Sequence, residues 1–87
     1  MKEADLFVAL QKQVLAKCGI AIIDINDCRN ISIQIFEQNR NYISETTIKR
    51  FFGFPSTNDQ FSPFVMDSIS QFIGFTNWEE FQHKQSG

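Results

Sequence analysis

The residues with the most suggestive chemistry lie in Ile43-Ser44-Glu45-Thr46-Thr47-Ile48-Lys49-Arg50-Phe51-Phe52-Gly53. Ile48, Phe51 and Phe52 have the i, i+3, i+4 spacing of a buried helical stripe. Glu45, Thr46, Lys49 and Arg50 are then left on the opposite face. Small polar groups near the start of such a helix suit base edges, and basic groups suit bases or phosphates. Glu45 can accept from a cytosine amino group. Just upstream, Asn39, Arg40 and Asn41 are placed to contact backbone phosphate. These seven residues form the candidate nucleic-acid-binding set. The competing reading of Lys49 and Arg50 is a solvated helix face whose charges complement the C-terminal end of the helix dipole.

Other reactive residue types lack suitable neighbours. The sequence holds no GxGxxG, no P-loop and no Ser-His-Asp arrangement in prospect. His83 sits in a polar tail without metal-ligand neighbours. The acidic pairs Asp24/Asp27 and Glu79/Glu80 read as capping groups and exposed helix charge. Cys18 and Cys28 lack CxxC spacing and read as small buried hydrophobes. No catalytic residue, metal site or cofactor is expected, and the chain reads as not an enzyme.

Several elements must position the candidate set. Ser44 is a good N-cap for the helix 44–52, with Ile43 and Ile48 at the spacing of a hydrophobic staple. Gly53 can end that helix in the left-handed conformation. A first helix is expected from Glu3 to Lys17, with Leu6, Leu10, Val14 and Cys18 repeating every four residues and Phe7 and Leu15 widening the stripe. Residues 20–36 support two readings. Ile31-Ser32-Ile33-Gln34-Ile35 alternates as a strand does, so a hairpin around residues 26–30 competes with a helix that puts Cys28, Ile31 and Ile35 on one face and takes Asn26 or Asp27 as N-cap. A polar loop is expected over residues 54–61, with Pro55, Ser56, Asn58 and Asp59. Ser62-Pro63 then starts a helix whose buried face is Val65, Ile69, Phe72 and Ile73 and which Gly74 closes. Thr76 or Asn77 caps a last short helix, with Glu79 or Glu80 completing a capping box and Trp78 and Phe81 pointing inward. The tail from His83 onward is expected to fray.

With 87 residues, 43% of them apolar and ten of them Phe, the chain is long enough for one domain and rich enough to fill its core. The net charge of −2 argues mildly against strong nucleic-acid binding. It is unevenly spread: residues 1–36 are neutral, residues 37–53 carry +1 and residues 54–87 carry −3. No apolar run approaches the ~20 residues that span a bilayer. The start Met1-Lys2-Glu3-Ala4-Asp5 lacks signal-peptide features. A cytoplasmic location with no membrane partner and no small-molecule substrate is the resulting expectation.

The order of parts resembles the lambda-repressor-like helix-turn-helix superfamily, with five helices and the recognition helix third. More specifically, residues 43–53 are similar to a motif of Bacteroidetes proteins. So is Met66-Asp67-Ser68-Ile69-Ser70-Gln71-Phe72-Ile73-Gly74-Phe75-Thr76-Asn77-Trp78-Glu79-Glu80-Phe81. In those proteins a Ser-x-x-Thr-Ile/Leu-Lys-Arg helix precedes a segment ending Gly-Tyr/Phe-x-x-Trp-x-x-Phe. The likeness covers roughly residues 27–81. It implies an all-α fold, a compact bundle of about five short helices with a central helix-turn-helix over residues 27–53. It also implies helix over residues 27–38 and a single domain, 1–87, at the N-terminus of a longer protein. The functional expectation is DNA binding in transcriptional regulation, with helix 44–52 as recognition helix. The alternative is a non-catalytic protein-interaction or homodimerisation module on the same fold, which Glu45 and the acidic balance favour.

Overall fold

The structure, a computed structural model, describes residues 3–54 and 60–86. Among these residues there are five α-helices and no strand: α1 Glu3–Cys18, α2 Asp27–Asn39, α3 Glu45–Phe51, α4 Pro63–Phe72 and α5 Trp78–Ser86. The loop expected around Pro55, Ser56, Asn58 and Asp59 falls largely outside the described residues. Helix α4 is the hub. It packs on α1, α2 and α5, while α2 also packs on α3. The Cα radius of gyration is 11.9 Å, matching the ~12 Å expected for one compact body of this length. No helix of the described residues is long and apolar enough to cross a membrane.

The hairpin reading of residues 20–36 gives way to a helix. Cys28, Ile31 and Ile35 of α2 are fully buried, while Ile33, which completes the apparent alternation, is 45% exposed. A strand would have put all three isoleucines on one face. The helix takes two of them into the core and leaves one out. Asn26, one of the two expected candidates, holds the N-cap position, but the side-chain hydrogen bonding at this helix start comes from Asp24 and Asp27. Asn26 already has helical backbone angles and caps nothing with its side chain. Asp24 Oδ1 accepts from the Asn26 N–H at 2.8 Å, and Asp27 Oδ2 reaches back to the Asp24 N–H at 2.9 Å. This is the reciprocal logic of a capping box.

The core joins Leu10 and Val14 of α1 and Cys28, Ile31 and Ile35 of α2 to Ile43, Ile48 and Phe51. Met66, Ile69 and Phe72 of α4 and Phe81 of α5 complete it. Phe51 is its aromatic centre. Its ring meets Phe7 edge-on at 4.9 Å, Phe52 at 5.0 Å and Phe61 at 5.9 Å. The Gln11 side chain donates to its carbonyl at 2.6 Å, tying α1 to the end of α3. Of the ten Phe residues, Phe36 and Phe64 remain largely exposed, so the aromatic content exceeds what the core takes up. Cys28 is buried as expected, whereas Cys18 is only half-buried against the core.

Helix α5 is capped as expected at Asn77, whose Oδ1 accepts from the Glu80 N–H at 2.8 Å, while Glu80 Oε1 accepts from the Thr76 N–H. Asp67 of α4 adds a further acceptor, for the Trp78 N–H at 3.0 Å. Trp78 stacks on Phe81 at 5.6 Å. The tail expected to fray is helical through Ser86.

Candidate functional site

Three local devices hold α3. Ser44 has extended angles (φ −65°, ψ 156°) and its Oγ accepts from the Thr47 N–H at 3.1 Å, satisfying one of the free donors at the helix start. Ile43 and Ile48, the staple pair, are both buried. At the other end Gly53 takes φ +89°. The Phe54 N–H then bonds the Lys49 carbonyl and the Gly53 N–H bonds the Arg50 carbonyl, the pairing of a Schellman motif. Glycine is required there because a Cβ crowds the backbone at positive φ.

Ile48 and Phe51 turn inward as expected, and Phe52 is half-buried against Phe51. The outward face is not a row of free cations. Lys49 Nζ lies 3.1 Å from Glu45 Oε2, one turn back on the same helix. The Arg50 guanidinium lies 5.7 Å from the centre of the Phe61 ring, a cation–π arrangement. Thr46 is exposed. The residues that joined α3 in the candidate set lie elsewhere. Asn41 donates from Nδ2 to Gln71 Oε1 of α4 at 2.8 Å. Asn39 is half-buried at the end of α2, with its Oδ1 buried and accepting no hydrogen bond among the described residues. Arg40 is exposed and stands 5.7 Å from the centre of the Phe36 ring. Thus Glu45 and Lys49 are brought together, while Asn39 and Asn41 are turned toward the body of the protein.

Acidic groups crowd the start of this pair of helices. Burial pushes the Cys28 thiol above its ordinary range, since a thiolate is poorly solvated there. Lys49 opposes that shift, while Asp27, Glu45 and Asp24 add to it. Three carboxylates and one ammonium therefore act on the same point between α2 and α3. Among the described residues no group of three or more His, Cys, Asp or Glu side chains is placed to hold a metal ion.

The residues that attention to α3 overlooked are on α2 and in the turn after it. Arg29, Ile33, Phe36 and Tyr42 are all exposed, Tyr42 by 68%. The strand-like alternation of residues 31–35 was their one trace in the sequence. An isoleucine between two core isoleucines, on a helix, has to point elsewhere. Arg40 belongs with them, and it is the one non-glycine residue with positive φ among the described residues, at +61°. Comparison with protein-family models, with curated proteins and with solved structures finds no match.

Proposed function

We propose that this chain is a non-catalytic recognition module, built on the α2–turn–α3 pair, that works through protein contacts. The observation that carries the reading is the electrical balance of the outward face of α3. Lys49 is held by Glu45 and Arg50 is drawn over Phe61. Duplex affinity comes chiefly from cations that neutralise phosphate and release counterions. A lysine paired with a carboxylate on its own helix gives up part of that gain. Large apolar side chains, by contrast, stand in water on α2 and in the turn. Aromatic residues and arginine are the types enriched where proteins meet, and they dominate binding energy there.

A second reading keeps α3 as a DNA recognition helix. Thr46 is exposed near its start, and Lys49 and Arg50 lie along it. The resemblance of residues 27–81 to repressor-like domains supports this reading too. Titration of a fluorescent duplex with the domain at low salt separates the two. The expected result is no saturable binding below about 100 μM, weaker than most non-specific affinities. Saturable binding that Lys49→Ala and Arg50→Ala each weaken, with a flatter salt dependence, overturns the protein reading in favour of DNA.

A further inference from the structure

The structure assigns the outer face of α2 as a docking surface for an acidic amphipathic helix of a partner protein; this inference rests on the protein-contact reading above. Arg29, Ile33, Phe36 and Arg40 follow one another at spacings of four, three and four residues. At 100° per residue the first three fall within about 60° of one another on the helix surface. Arg40 lies just past the end of α2, and its observed place over the Phe36 ring puts it on the same stripe. The result is an apolar pair with a guanidinium at each end. Ile33 is 45% exposed and Phe36 41%, so neither is absorbed by the core.

Charge decides the occupant. Neither Arg29 nor Arg40 is ion-paired among the described residues. A second copy of the chain fits badly. Antiparallel pairing of two such stripes would set Arg29 against the other copy's Arg40 at both ends, and parallel pairing would set each arginine against itself. Both arrangements bring like charges together as water is excluded. A helix with two apolar residues three or four apart and carboxylates on either side meets every feature of the stripe. Glu37, at the edge of the stripe, repels a carboxylate set directly against it, so the partner's acidic groups belong at the two ends beside Arg29 and Arg40. The Ser32 hydroxyl donates to the Ile43 carbonyl and folds the turn back along α2, and Tyr42 is the exposed residue just before that contact.

The end of α2 supplies a separate sign. Helices α1, α3 and α4 each hand over to a glycine with positive φ, Gly19, Gly53 and Gly74. Helix α2 hands over to Arg40 at φ +61°, with its N–H bonded to the Phe36 carbonyl at 2.8 Å. A side chain is disfavoured in that conformation. An arginine kept where the fold prefers glycine is accounted for by what its guanidinium does outside the fold.

The test uses two labelled synthetic helical peptides of one apolar pattern, one flanked by glutamates and the other by lysines. Binding is followed by fluorescence anisotropy and mapped by amide chemical shifts. The glutamate peptide is expected to bind at least about tenfold tighter than the lysine peptide, and to lose that margin in ~1 M salt. Its shifts should cluster on α2 and the turn. Arg29→Glu and Phe36→Ser should each weaken it by about tenfold or more. Arg40→Gly should weaken it while leaving the unfolding midpoint little changed or raised, whereas loss of a purely structural arginine would lower it clearly. Equal binding of both peptides, or shifts centred away from α2, overturns this docking surface and leaves the broader protein-contact reading standing. Failure of both peptides overturns it as well. If the duplex titration then shows saturable binding through α3, the broader reading falls with it.

Discussion

Helices α2 and α3 are neighbours in sequence and in space, yet their outer faces differ. On α3 each cation has a local engagement, Lys49 with Glu45 and Arg50 with Phe61. The helix opens on a serine cap and closes on a glycine. On α2 two arginines have no carboxylate partner among the described residues. Two large apolar side chains face water, and the helix closes on an arginine in a glycine conformation. Local rules of helix construction account for α3 almost completely. They leave an excess on α2, and such an excess is expected where a surface serves something other than its own fold.

The sharpest way to test that contrast is to remove one aromatic ring from each helix. Phe51 is fully buried and touches three other rings. Phe51→Ala should therefore cost ~3–5 kcal/mol. That is a large share of the ~4–13 kcal/mol available to a domain of this size, so the variant should melt tens of degrees lower or fail to fold. Phe36→Ala should cost less than ~1 kcal/mol, since the ring is already partly in water. Thermal and urea unfolding followed by circular dichroism read both. Similar losses for the two variants would place Phe36 in the structural core and erase the distinction.

Most of the bundle was legible from the sequence because its signals are local. The cap at Ser44, the staple of Ile43 and Ile48, the Ser62-Pro63 start and the glycine ends each depend on a few consecutive residues, and each is present. The α2 segment was ambiguous for a physical reason. Two isoleucines of the core stripe and one of the outer stripe interleave into a pattern of period two. Which isoleucine stays out is decided by packing against α3 and α4, and spacing alone does not carry that information. The candidate site was less legible. Lys49 and Glu45 lie one turn apart, so their pairing was readable. The Arg50 to Phe61 contact and the Asn41 to Gln71 hydrogen bond join residues from separate elements. They decide whether those groups are available, and no local pattern announces them.

The helix ends sharpen the comparison at the next scale down. Gly74 has φ +101°, and a Cβ built there would meet nothing within 4 Å. Gly74→Ala therefore isolates the cost of the backbone angle and should destabilise by about 1 kcal/mol. Arg40→Gly runs the other way. It relieves roughly 1–2 kcal/mol of left-handed strain, returns ~0.5–1 kcal/mol through greater freedom of the unfolded chain and gives up ~0.5 kcal/mol of exposed cation–π contact. The balance lies between a loss of ~0.5 kcal/mol and a gain of ~1 kcal/mol, read as the shift in urea midpoint at constant slope. A clear loss of stability in Arg40→Gly would show that the arginine holds the fold together, and the excess assigned to α2 would disappear.

The smallest effect tests the α3 side. Lys49 and Glu45 are both partly exposed, with side-chain exposures of 33% and 43%. Solvent screens such a pair, which contributes ~0.3–0.5 kcal/mol. Lys49→Ala should lower stability by no more than about that amount, with a further few tenths possible from the helix dipole. Glu45→Gln should do the same, because Glu45 also complements the N-terminal end of the dipole. The double variant should cost less than the sum of the singles, since the pair is lost only once. In ~1 M salt the difference between variants and parent should shrink toward nothing. If Lys49→Ala instead leaves the urea midpoint unchanged at low salt, the 3.1 Å contact contributes no net stability. The ammonium is then available to an incoming phosphate at no cost to the fold, and α3 regains its standing as a recognition helix.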